Sequence, residues 1–308
     1  MKAVRNAAFC FLLLGCFTAF SQQINDDTFK YENPNPAFSE GSGPLVCWDE
    51  GHFNIHTSES SYKAFADLLR GDGYQILRYG ERFSNLSARN CNLLIIANPL
   101  SEYSSKDWDL PHDSAFTRDD IDELVAWIIG GGNLLLVADH SPVAGNVTDL
   151  GAVLGIMIAN AYALMDQESR AVFRTSTGTL MSHKITQGRS ELETIDSLVS
   201  FGGLAAIFGE MWDPITVFGE NDTAYIRTQH TNLSEEIGGR TEFSIAGWWQ
   251  GASRTLGDGR IVFQGEAAMC SAQIQVRRNN KLGMNNPIAP QNAQFCLNTV
   301  RWLTGVLD

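Results

Sequence analysis

Cationic charge is scarce in this chain. Its 308 residues hold 22 lysines and arginines against 35 aspartates and glutamates, for a formal charge of −13. So acidic a surface argues against nucleic acid and anionic membrane as partners. Beyond the first twenty residues no apolar run reaches the roughly 20 residues that a membrane-spanning helix needs. Familiar chemical signatures are also missing. No CxxC spacing supports zinc, and no Glu follows His52 as HExxH would require. Asp139-His140-Ser141-Pro142 lacks the G-x-S-x-G elbow of a serine hydrolase. Gly130-Gly131-Gly132 precedes an apolar run, whereas phosphate-cradling glycines follow a strand and open a helix.

What is present begins with a targeting segment. Lys2 and Arg5 precede an apolar stretch from Ala7 to Phe20, and Ala19 and Ser21 put small residues at −3 and −1 of a cleavage point before Gln22. Residues 1–21 therefore read as a signal peptide and the protein as exported, periplasmic or secreted. Leu13-Leu14-Gly15-Cys16 resembles a lipobox, and lipid anchoring at Cys16 is the alternative. Cleavage after Ser21 removes Lys2 and Arg5 and no acid, taking the formal charge from −13 to −15. Four cysteines remain: Cys47, Cys91, Cys270 and Cys296. Export permits disulfides, but these four lie far apart in mostly apolar surroundings, which leaves free buried thiols and a single bridge both open.

Residues 22–43 are polar and rich in Asn, Pro, Gly and Ser, as in a leader or arm. From residue 44 the chain alternates strand-like and helix-like patterns. Short apolar runs at Leu45–Trp48, Tyr74–Tyr79, Asn92–Ala97 and Asn133–Ala138 predict strands, and the Asn92–Ala97 run is continuous enough to be covered on both faces. Helical spacing falls on Ser58–Arg70, on 121–129 behind the near capping box Thr117-Arg118-Asp119-Asp120, and on Gln291–Leu303. In the middle, Thr148–Ile158 reads as a helix and Ala171–Leu180 as a hairpin or extended piece. His183–Gly188 reads as a turn, with strands at Leu198–Phe201, Ile215–Phe218, Phe243–Trp249 and Gly259–Gly265. Strands alternating with helices predict a flavodoxin-like, doubly wound, mostly parallel sheet with helices on both faces and an elaborated middle, all in one domain over 44–308.

The run Trp127–His140 resembles the helix, glycines, strand and elbow of class I glutamine amidotransferase-like domains. His183–Gly188, Gly265–Met269 and Asn298–Leu303 are similar to an uncharacterised exported bacterial branch of that superfamily. The resemblance spans roughly residues 44–308. It implies a fold and no settled activity. True amidotransferases carry a nucleophilic cysteine at the elbow; here the elbow reads Ala138-Asp139-His140, and Cys47 lies within a strand elsewhere. Glutamine hydrolysis by a Cys–His pair is therefore not expected.

Ligands of open α/β sheets bind beyond the carboxyl ends of the strands. Three polar clusters fall at such ends: Asp49, Glu50, His52, Asn54 and His56; then Asp139 and His140; then Glu266. Asp49, His52 and His56 are candidate ligands for a divalent metal (Zn, Mn or Fe), which would acidify a bound water. Glu50, Asp139, His140 and Glu266 are candidate acid/base groups. The expected activity is hydrolysis of a carbohydrate or ester, with a non-catalytic carbohydrate- or protein-binding module as the alternative. On the bland reading the same residues merely cap loops and helices. Trp248-Trp249 suits strand packing as well as sugar stacking. The N-x-[ST] sites at Asn85, Asn146, Asn221 and Asn232 matter only in a glycosylating host.

Overall fold

The computed structural model describes residues 23–107, 110, 112–165, 171–227 and 240–308. The expected signal peptide, Cys16, Asn232 and His230 lie outside the described residues.

Nine strands form the main sheet: β1 (Leu45–Asp49), β2 (Gln75–Tyr79), β3 (Leu93–Ala97), β4 (Asn133–Val137), β5 (Ile156–Ile158), β6 (Ala206–Phe208), β7 (Asp213–Val217), β8 (Trp249–Leu256) and β9 (Gly259–Gln264). Their order is β2-β1-β3-β4-β9-β8-β6-β5, with β7 also paired to β8. The strands from β2 to β9 in that order pair in parallel. Beyond β9 every pairing of this sheet is antiparallel.

The expectation of a mostly parallel, doubly wound, flavodoxin-like sheet is thus wrong. The fold is mixed α/β, and three smaller antiparallel sheets join the main one. The cause is local. Only Gly257 and Asp258 separate β8 from β9, and a two-residue connection reverses the chain, whereas a parallel crossover needs a dozen residues or more. Gly257 takes φ +61, a conformation such a turn needs and glycine supplies at little cost.

The side chains of the parallel strands alternate between two cores. Val46, Trp48, Leu93, Ile95, Leu135, Val137 and Val262 face one cluster, together with α1 (Lys63–Gly71) and α5 (Asn292–Leu303). Leu94, Ile96, Leu134, Leu136, Ile261 and Phe263 face the other, together with α2 (Arg118–Ile129) and α3 (Thr148–Leu154). The first helix is shorter than its periodicity suggests, because Thr57–Tyr62 is taken up in turns and α1 starts only at Lys63. Thr117 and Asp120 form the full capping box at the start of α2. The segment read as one helix over 148–158 breaks at Gly155, φ +80, so α3 ends at Leu154 and β5 follows. The expected turn at His183–Gly188 contains a short helix, α4 (Lys184–Gln187), capped by His183.

Neither open reading of the cysteines holds, because all four are bridged. Cys47 bridges Cys91 and Cys270 bridges Cys296, with Cα atoms 5.7 and 5.9 Å apart, within the range disulfides span. Two bridges indicate an oxidising, exported compartment. No helix among the described residues is long and apolar enough to cross a membrane.

The polar arm is bound to the domain. Gln23–Asn25 pairs antiparallel with Ala272–Gln275. Further along the arm, Asp72 accepts from the Asn33 side chain and the Ala37 N–H. Asp72 is held in turn by Arg301, which is fully buried and also faces Glu193.

Candidate functional site

In the order β2-β1-β3, the chain leaves β1 toward one side and returns for β3 on the other, and the carboxyl ends at such a reversal are where open α/β sheets take ligands. The loop after β1 is pinned over these strand ends. Asn54 Oδ1 accepts the Ala97 N–H at 2.7 Å, Ile55 N–H donates to the Asn98 carbonyl, and the Trp48 indole donates to the His56 carbonyl. With Asn54 so held, Phe53 sits at φ +46 with its ring half exposed, a backbone state bulky residues rarely adopt.

The loop divides into two halves. In the first, Asp49 is fully buried and accepts from the Gly51 N–H (3.1 Å), the Asn54 amide (2.6 Å) and His52 Nδ1 (3.0 Å). The other ring nitrogen of His52 faces Asp120 of α2 at 3.9 Å, and the ring lies between Phe83 and Phe116. Burial opposes charging this imidazole, but the bond and charge of Asp49, with Asp120 behind, outweigh it and raise the His52 pKa. Glu50 points away to the β2 edge, where it chelates the exposed Arg78 guanidinium at 2.7–3.0 Å.

In the second half His56 is buried against Tyr62, and desolvation lowers its pKa to about 4 despite the charge of Asp139. Its tautomer follows from Asn98. Asn98 Oδ1 accepts the Asp139 N–H at 2.7 Å, so its NH₂ must be what meets His56 Nδ1 at 3.2 Å. Nδ1 is therefore an acceptor and the proton sits on Nε2. Asn98 itself adopts φ +54 to serve both loops.

Asp139 keeps a side-chain exposure of 18%. Its Oδ1 accepts the His140 N–H and lies 3.8 Å from His140 Nε2. The His140 ring stacks on Tyr162 at 4.0 Å, and its Nδ1 meets the Ser141 carbonyl. Glu266, after β9, is 1% exposed and takes the Ala268 and Met269 N–H groups on its two oxygens, at 2.6 and 2.7 Å. Burial and then the Asp139 charge raise the Glu266 pKa well above the usual carboxylate range, against backbone N–H donors that include Phe201. Tyr62, whose hydroxyl donates to the Ala267 carbonyl, is raised by burial and by the charges of Glu266 and Asp139. Gly203, at φ +99, lets the chain close over this cluster; a Cβ there would collide with the Gly265 carbonyl oxygen.

The seven candidate residues thus separate. His56, Asp139, His140 and Glu266 gather at one site. Asp49 and His52 belong to a neighbouring ion pair, and Glu50 stands at the edge. The candidate ligands Asp49, His52 and His56 do not face a common point, since His52 presents a carboxylate partner at each ring nitrogen. Among the described residues no three His, Cys, Asp or Glu side chains could hold a metal ion together. The residues overlooked in the sequence are Asn98, Tyr62 and Asp120. Asn98 directly follows an apolar strand, which was the available signal; Tyr62 and Asp120 read only as helix residues. His183 is structural, with Nδ1 accepting the Ile185 N–H and Nε2 meeting Ser253.

No family model matches the chain. No curated protein sequence matches it either. Solved structures do superpose on it. The mmIFT52 N-terminal domain is 14% identical with a TM-score of 0.54, over 84% of this chain and 97% of that one, a likeness of fold alone. A putative ThuA-like protein from Bacteroides uniformis is 11% identical with a TM-score of 0.44, over 89% and 94%. The exo-β-1,4-mannosidase Op5Man5 from an Opitutaceae bacterium is 14% identical with a TM-score of 0.43, over 85% of this chain but only 36% of the enzyme.

Proposed function

We propose that this chain is an exported hydrolase using acid/base chemistry at His56, Asp139, His140 and Glu266, on a carbohydrate or ester substrate. The observation that carries the reading is the convergence of three strand ends whose groups act on one another electrically, with Asn98 joining two of them. Neighbouring groups whose surroundings shift their proton affinities are what acid/base work needs. Asp139 is the carboxylate open to solvent and takes a proton from water or a substrate hydroxyl, with His140 at its side. Glu266 behind it is pushed by burial and by the Asp139 charge toward its protonated form, and His56 offers its Nε2–H to developing negative charge. No step runs through a metal in this reading, because His52 is engaged by carboxylates on both sides.

The resemblance to amidotransferase-like domains enters at the elbow, where Asp139-His140 stand in the cysteine's place; we read the chain as a member of that exported branch working without a thiol nucleophile. Export follows from residues 1–21, with lipidation at Cys16 as the alternative, and the mass of the mature chain separates the two.

A panel of nitrophenyl esters and glycosides tests the activity. For whichever substrate is turned over, Asp139→Asn should lower kcat by about 10²-fold or more while the melting curve stays intact. Undiminished turnover in that variant would remove Asp139 from the chemistry. One observation favours a binding module instead: both Glu266 oxygens are already engaged as the cap of a turn. Saturable ligand binding with no turnover across the panel would select it.

A further inference from the structure

A groove of about 820 Å³ opens beside the buried cluster. Its lining includes Gln275 and Asn280 to Leu282 of the hairpin that follows Ser271, the arm residue Gln23 and, toward the site, Phe201. Phe201 connects the two places, since its backbone N–H donates toward Glu266. The volume lies within the range of pockets that take ligands of drug-like size.

The charge of this groove runs against that of the chain. Arg70, Arg78, Arg82, Arg118, Arg260 and Arg301 each pair with a carboxylate. The Arg278 side chain has no partner among the described residues, and its backbone N–H donates to the Gln275 carbonyl. It projects from a turn that Asn279 closes at φ +51, with the similarly unpartnered Arg277 beside it, whereas Lys281 of the same hairpin is paired with the buried Asp26 at 3.1 Å. An unpaired guanidinium is a ready bidentate donor to a carboxylate. Gln23, Asn279 and Asn280 add amides that can both donate to and accept from hydroxyls. Phe201 offers a partly exposed apolar ring for the C–H face of a sugar.

We propose that this groove binds a carboxylate-bearing oligosaccharide and leads it to the cluster behind Phe201. The proposal rests on the hydrolase reading only in taking that ligand for the substrate; binding itself requires no turnover. Isothermal titration of the full mature chain with tetragalacturonate, its methyl ester and inorganic phosphate tests it. Tetragalacturonate should bind, the uncharged ester about tenfold more weakly or worse, and added salt should weaken the acid form alone. Arg278→Gln, an exposed change, should lower affinity for the acid about tenfold and leave the ester unaffected. No binding of tetragalacturonate, or equal affinity in the variant, overturns the proposal, and phosphate binding as tightly overturns the saccharide class. Asp139→Asn should bind tetragalacturonate like the wild type. If both bind it and the wild type does not cleave it, the groove stands and its ligand is not the substrate; the hydrolase reading fails separately, on absence of turnover across the ester and glycoside panel.

Discussion

His52 and His56 stand four residues apart on one loop, and their surroundings drive them in opposite directions. His52 lies between Asp49 and Asp120, which favour its charged form. His56 lies against Tyr62 under the same sheet edge, where burial holds it neutral. The difference comes from what each nitrogen meets: carboxylates for His52, an amide donor from Asn98 for His56. A histidine with a carboxylate at each ring nitrogen is biased toward its charged form and serves as a brace, and one with a buried, proton-bearing Nε2 beside an accessible Asp139 is available for chemistry. The loop that looked like one dense site is a brace followed by a site.

The sharpest way to break the comparison is to remove the brace. Asp49→Ala leaves His52, the Asn54 amide and the Gly51 N–H without their common acceptor in the interior. Breaking a buried pair by deleting one partner costs about 3–5 kcal/mol. Urea unfolding should show a loss of that size. A loss under about 1 kcal/mol would mean that the Asp49–His52 pair is not structural.

The dependence of stability on pH sharpens the contrast further. His56 falls from an ordinary value near 6.5 to about 4, so the folded state prefers the neutral ring. Its contribution is complete above pH 6.5 and is lost as pH falls toward 4, a change of about 3 kcal/mol in all. His52 is raised, so its contribution is complete below its unfolded value near 6.5 and is lost as pH rises through the folded one. Unfolding free energies measured from pH 4 to 9 should lose their acid-side slope in His56→Gln and their neutral-side slope in His52→Gln. Identical profiles in both variants would erase the distinction.

Which parts of this were legible beforehand follows from the range of the signals. The parallel strands announce themselves as short apolar runs, and three of them end in the polar clusters that do meet in space. The antiparallel half was hidden because β8 carries polar and small residues, Gln250-Gly251-Ala252-Ser253, where a buried strand would ordinarily show a branched apolar run. Gly257-Asp258 between β8 and β9 was the missed sign of a hairpin. At the site, strand ends tell which loops converge but not which way each side chain turns. Glu50 and Asp49 are adjacent and of one chemistry, yet the alternation of a strand sends one inward and the other to the edge. Asn98, which joins His56 to Asp139, is a single residue with no motif.

Glu50 gives the smallest and most discriminating effect. It is a carboxylate of the same loop that stands outside both halves, bound to an Arg78 that is 65% exposed. An exposed ion pair is worth about 0–1 kcal/mol, and salt screens it. Glu50→Gln should therefore shift unfolding by under about 0.5 kcal/mol, with the difference vanishing at high salt. It should also leave turnover unchanged under conditions where Asp139→Asn lowers kcat by about 10²-fold. A fall in kcat on Glu50→Gln would show that the rim of the β1 loop takes part in the chemistry, and the line between brace and site would have to be redrawn through Glu50.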